Sequence, residues 1–232
     1  MGKIFNYFKN LSKIQLFKLI YAILTGIAML TTIIIFKISI LRVIPLFISL
    51  VVMFIQSSAG RLCYLIGGLN CILYSISYFL MKVYGMAIYS LSFAFPIQII
   101  TFIRWNKRSY KHSTTFNKMS PTMTAVMIIC SIIVASLGAW ILTLLGSSNG
   151  TLDSFNTVLA IISNVLSLLC FVEYTIIAIL SNVLSLGLFA SLIVKDIASL
   201  PFLIQFVYNI TCLSFAFVAT RKLYKEQNKT AV

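Results

Sequence analysis

The sequence predicts an all-α integral membrane protein of about eight transmembrane helices. Three observations predict it. Of its 232 residues 60% are apolar and only 9% charged, where soluble domains run near 25% charged. The mean hydropathy is +1.04. Apolar runs long enough to cross a hydrocarbon core about 30 Å thick, roughly 20 residues each, follow one another along most of the chain. A soluble fold so poor in charge has too little polar surface to cover itself, and a disordered chain has far less to bury. The runs are apolar all round, whereas the strands of a membrane barrel would alternate.

The spans are expected at 17–36, 43–60, 62–81, 84–105, 122–146, 152–172, 174–194 and 197–220. The first is preceded by a basic stretch and followed by no small-residue cleavage site, which reads as an extra helix, spanning or interfacial, rather than a signal peptide. With eight spans the two termini share one side. That side collects Lys3, Lys9, Lys13, Arg61, Arg104, Lys107, Arg108, Lys111, Lys118, Arg221, Lys222, Lys225 and Lys229. The other side has only Lys37, Arg42, Lys82 and Lys195. The asymmetry puts both termini in the cytoplasm. It also explains the net charge of +14 without nucleic acid, because the cations sit beside apolar runs on a face that meets anionic lipid.

The segment 106–121 is the one long polar connection, a basic cytoplasmic linker. Three helices precede it within 43–105, a single helix follows within 106–146, and three more occupy 147–220. Residues 1–42 add the basic N-terminus and extra helix, and 221–232 a basic cytoplasmic tail. Three spans leave the chain on the far face, so a parallel repeat of three helices needs one linker helix to bring it back, an arrangement typical of transporters. An offset of 112 residues sets Asn70 against Asn182.

Polar side chains in hydrocarbon are costly and ask for a reason. The deep ones are neutral amides: Gln56, Asn70, Gln98, Asn164, Asn182, Gln205 and Asn209. Each alone serves equally well as interhelical glue. Their even distribution over both halves points to a shared polar cavity near the midplane. Tyr74 lies one turn from Asn70, and Tyr208 precedes Asn209. Rings that stack and amides that donate and accept suit a flat, hydroxylated, uncharged or weakly charged solute. Asn70, Tyr74, Gln98, Asn164, Asn182, Gln205, Tyr208 and Asn209 are therefore the expected substrate-binding residues.

Other functions lack their residues. There is no GxxxxGK loop and no HExxH, and His112 is the lone histidine. The acids Asp153, Glu173 and Asp196 fall near span ends, so no mid-span carboxylate is available for ion coupling. The five cysteines lie singly in apolar stretches and form no disulfide framework. No enzyme, metal or cofactor is expected, and uncoupled transport is the simplest mechanism.

The residues Gly67-Gly68-Leu69-Asn70, then Tyr84-Gly85, Pro96-Ile97-Gln98 and Trp105, then Leu152-Asp153-Ser154, Glu173 and Ser181-Asn182-Val183-Leu184-Ser185 resemble the bacterial nicotinamide riboside transporters of the PnuC type, over most of the chain after residue 43. The resemblance implies two three-helix bundles joined by a linker helix, as in full-length SWEET proteins, and a homotrimer in the bacterial plasma membrane. It implies facilitated diffusion of a vitamin-like nucleoside, made directional by a cytoplasmic kinase acting on the product. Members that take nicotinamide riboside carry a WxxW pair where this chain has Thr175 and Ala178, and several have Gln where it has Asn164. Related proteins are linked to thiamine, riboflavin or deoxynucleosides. Two other readings stand beside this one: a substrate-capture subunit of an ATP-driven vitamin importer, and a membrane protein that transports nothing and whose amides are all glue.

Overall fold

The computed structural model describes residues 13–230; Lys3, Lys9 and the end of the basic tail lie outside them. Nine α-helices account for most of this stretch: α1 (Lys13–Phe36), α2 (Ile40–Gln56), α3 (Leu62–Leu80), α4 (Tyr84–Tyr89), α5 (Phe95–Lys107), α6 (Pro121–Leu144), α7 (Gly150–Leu168), α8 (Tyr174–Ile193) and α9 (Leu200–Thr230). A π-helical turn, Ser90–Ala94, fuses α4 to α5, and a 3₁₀ turn, Ile197–Ser199, leads into α9. Seven helices are long and apolar enough to cross a membrane, with Tyr84–Lys107 and Ile197–Lys229 each counted once; α2, at 17 residues, is shorter. The chain is a multi-pass membrane protein.

Six helices close a ring in which each packs on the next: α2, α3, α5, α7, α8, α9, and back to α2. α1 leans on α9 and α2 from outside, and α6 leans on α7. Small residues let α6 and α7 approach closely. Ser154 Oγ donates to the Ala135 carbonyl at 2.8 Å, and a Cβ on Gly138 would stand 2.5 Å from Ser154 Oγ. This is how membrane helices associate where water supplies no hydrophobic drive.

The turns after α2 and α7 are alike. Ala59 (φ 54°) and Cys170 (φ 63°) take the left-handed conformation. Ala59 N–H bonds Gln56 O and Gly60 N–H bonds Ile55 O; Cys170 N–H bonds Ser167 O and Phe171 N–H bonds Leu166 O. Both are Schellman caps, which satisfy the last helical carbonyls. The first of these turns ends α2 at Gln56, ahead of the expected limit of residue 60.

The linker is not a loose loop. Ser109–Tyr110 (β1) and Ser113–Thr114 (β2) form a hairpin, with Ser109 opposite Thr114. Past it, Asn117 N–H bonds Cys170 O and Val172 N–H bonds Asn117 O. His112 Nε2 meets Ser58 O at 2.8 Å. Gln227 donates to Thr114 O and accepts from Phe116 N–H. Lys111 Nζ stands 2.7 Å from Glu226, whose carboxylate raises the lysine above its usual pKa by hydrogen bonding and charge. Continuing as helix past residue 220, α9 buries Leu223 and brings Gln227 to the hairpin.

Candidate functional site

At the hairpin end, Trp105 is fully buried among Tyr64, Phe116 and Tyr174, with ring centroids 4.6, 5.5 and 6.1 Å away. Its Nε1–H donates to Ser167 O at 2.9 Å, and Tyr64 hydrogen-bonds the Ser167 hydroxyl. Toward the other end, Tyr74 stacks on Tyr78, and Tyr78 abuts Phe189 and Phe202, which stack face to face at 4.8 Å.

Between these aromatic groups lies a cavity of about 190 Å³. α3 presents a stripe to it at helical spacing: Tyr64, Gly67, Cys71, Tyr74 and Tyr78, with Asn70 beside them. α2 contributes Ser49, Val52, Met53 and Gln56, and α7 contributes Asn164. From the α4–α5 span come Met86, Tyr89, Ser90, Ala94 and Gln98. Tyr89 and Gln98 are nine positions apart, which on a regular helix puts them on opposite faces, about 180° apart. The π turn between them absorbs one extra residue, and both then face the cavity. Pro96, placed just after that turn, lacks the N–H a regular helix would use.

The wall is built of fixed dipoles. Asn70 Nδ2 donates to Pro45 O at 2.8 Å, while its Oδ1 is buried with no partner among the described residues. Asn164 Nδ2 donates to the Tyr89 hydroxyl and, at 3.3 Å, to Ala160 O. Gln98 Nε2 faces Cys71 Sγ at 3.6 Å, and its Oε1 rests against Gly67, where an added Cβ would come within 2.6 Å. Among the described residues no charged side chain lines the cavity.

Of the expected binding residues, Asn70, Tyr74, Gln98 and Asn164 come together here. The other four lie elsewhere. Asn209 Nδ2 donates to Asn182 Oδ1 at 3.0 Å, and Gln205 Nε2 donates to Asn209 Oδ1 at 2.8 Å, a chain of amides joining α8 to α9. Tyr208 donates to Leu50 O at 3.2 Å with its ring beside Tyr21 of α1. The left-handed residues Ala59 and Cys170 stand 111 positions apart, the same separation as Asn70 and Ser181. Asn70 reaches Pro45, and Ser181 Oγ reaches Asn156 Oδ1 at 2.7 Å, in the same register. Asn156 is a fully buried amide of α7 that the span reading overlooked; its Nδ2 donates to Ser185 Oγ at 2.8 Å. Thr175 and Ala178 are absent from the cavity wall, and Thr175 Oγ1 donates to Val172 O.

Asp153 has a structural task. Fully buried on α7, it accepts from Gly85 N–H at 2.9 Å and Met86 N–H at 3.1 Å, the first donors of α4, and from Ser147 Oγ. A carboxylate is favoured at such a helix N-terminus.

The sequence profile of the family described as "Nicotinamide mononucleotide transporter" matches residues 39–222. The chain belongs to this family. It is thus a membrane transporter and not an enzyme. Among solved structures, the crystal structure of the vitamin B3 transporter PnuC matches this transporter at a TM-score of 0.79, with 20% identity over 94% of each chain; the likeness is one of fold. No curated protein sequence matches it.

Proposed function

We propose that this transporter carries an uncharged or singly charged vitamin- or nucleoside-type solute by facilitated diffusion. The observation that carries the reading is the cavity wall of neutral amides, hydroxyls and tyrosine rings. Such a wall replaces water on ribose hydroxyls and base edges. A phosphate dianion would leave its hydration shell and meet no cation there, which is strongly unfavourable. The substrate class is therefore a nucleoside or vitamin (nicotinamide riboside, thiamine, riboflavin, a deoxynucleoside) in preference to a mononucleotide. Without a carboxylate in the wall we assign no ion coupling, and phosphorylation by a cytoplasmic kinase makes uptake directional.

We read the ring as two parallel repeats, α2–α5 and α7–α9, with α6 as linker helix. The matched caps at Ala59 and Cys170 and the matched Asn70 and Ser181 contacts support this. So does the ring itself, in which α5 packs on α7 as α9 packs on α2. At 17 residues α2 lies at the short limit for a crossing. Counting it gives eight crossings, with both termini and the basic hairpin end in the cytoplasm. The exposed apolar faces of α1 and α6 suit lipid or the contacts of a homotrimer. Asn70, Tyr74, Gln98 and Asn164 hold the solute; the chain of Asn182, Asn209 and Gln205 holds α8 on α9, and Tyr208 holds α9 on α2.

The test is uptake by proteoliposomes containing the purified protein, with nicotinamide riboside, thiamine, riboflavin, thymidine and nicotinamide mononucleotide offered in turn. One unphosphorylated compound is expected to equilibrate, and Asn70→Leu and Gln98→Leu to slow it about tenfold or more while the protein still folds. Preference for the mononucleotide, or no uptake of any compound by well-folded protein, would refute the reading.

A further inference from the structure

A second pocket, of about 230 Å³, lies at the hairpin end on the outside of the ring, lined by Lys118, Val172, Glu173, Ile176, Arg221, Tyr224 and Lys225. We propose that it binds the phosphate headgroup of an anionic membrane lipid.

Three cations from two separate elements converge on it. Lys118 comes from the segment after the hairpin, and Arg221 and Lys225 are one turn apart on α9. All three are exposed, and none forms an ion pair among the described residues. The single carboxylate present, Glu173, accepts from Met119 N–H at 3.3 Å and offsets one of the three charges. The pocket keeps a net positive charge that a phosphate monoanion would offset in part.

A lipid fits better than free phosphate because the pocket continues into apolar surface. On α8, Ile176, Leu180 and Val183 are exposed at the i, i+4, i+7 spacing of one helix face, leading from the pocket toward mid-membrane. On α9 one exposed stripe passes from Val207 through Ser214 and Val218 to Arg221 and Lys225. The stripe turns from apolar to cationic within one turn, the change a helix face shows on passing from acyl chains to headgroups. Lys118 adjoins the backbone bridge between Asn117 and the α7–α8 turn, so a bound headgroup would tie the linker to α9 across the start of α8.

Native mass spectrometry of the full chain in detergent tests this, titrating phosphatidylglycerol against phosphatidylcholine of the same acyl chains. We expect about a tenfold preference for phosphatidylglycerol. The double variant Arg221→Gln, Lys225→Gln should lose it, and Lys107→Gln, an exposed cation of the same end, should keep it. Glu173→Gln should strengthen it. Unchanged lipid-free melting of each variant shows that the fold is intact. A preference that survives the double variant, or is absent from the wild type, overturns the proposal. Full competition by millimolar inorganic phosphate overturns the lipid assignment in favour of a free-phosphate site.

Discussion

Gly67 decides where Gln98 sits. The amide oxygen of Gln98 occupies the space a β-carbon would take, so Gly67→Ala should drive that side chain off the cavity wall. We expect melting in detergent to report a loss of about 1–3 kcal/mol, the usual penalty for overpacking, and solute affinity to fall with it. Adding Gln98→Ala should recover most of the stability and none of the affinity; a purely additive pair would show that the contact does not matter. Among single residues, Asn70 and Gln98 were legible in the sequence because an amide in hydrocarbon demands a partner. Ser90 was not, because it satisfies itself by donating to Met86 O at 2.7 Å, as serines in helices commonly do. Nor was the partner of Tyr208, since Leu50 O belongs to a helix far away in sequence.

At the scale of elements, α2 shows how a defect is repaired by a neighbour. Pro45 has no N–H, which leaves carbonyls of the preceding turn open. Ser77 of α3 fills the gap: its Oγ lies 3.1 Å from Arg42 O and 3.5 Å from Leu41 O. Ser77→Ala should lower stability by about 1 kcal/mol. In a Pro45→Ala background, where the helix supplies its own donor, the same change should lose less, as a double-mutant cycle on thermal unfolding would read. The turns were the least legible elements. Sequence rules expect glycine in a left-handed cap, yet Ala59, Lys82 and Cys170 take that conformation here. The π turn was hidden too, because apolar residues surround it and only the change of face from Tyr89 to Gln98 betrays the added residue.

On the scale of the whole molecule, a succession of membrane-spanning helices was legible from the lengths of apolar runs. The division of labour between the halves was not. Similar numbers of amides in the two halves, three and four, suggested one shared cavity; the structure gives most of the cavity to α2–α5 and pairs the amides of α8 and α9 with each other. Spacing along a chain cannot show whether two amides meet a solute or meet one another. Phe189 stacks on Phe202 at the end of the ring away from the hairpin. Phe202→Ala should open that end, at a loss of about 3–5 kcal/mol in stability. Cys71, which lines the cavity, gives the readout. An impermeant thiol reagent added to the side of Lys82 should label Cys71 faster in the variant, and equal rates would place the barrier elsewhere.

The hairpin has a consequence for covalent continuity. Its tip, Lys111-His112, separates β1 from β2, and the ring helices α2, α3 and α5 all lie N-terminal to it. The two sides of that tip are already held together without the peptide bond, by the strand pair, by Lys111 with Glu226 and by His112 with Ser58. Expressed as two polypeptides divided there, the fragments should find each other in the membrane, so that a single long transporter behaves as an assembly of two shorter chains.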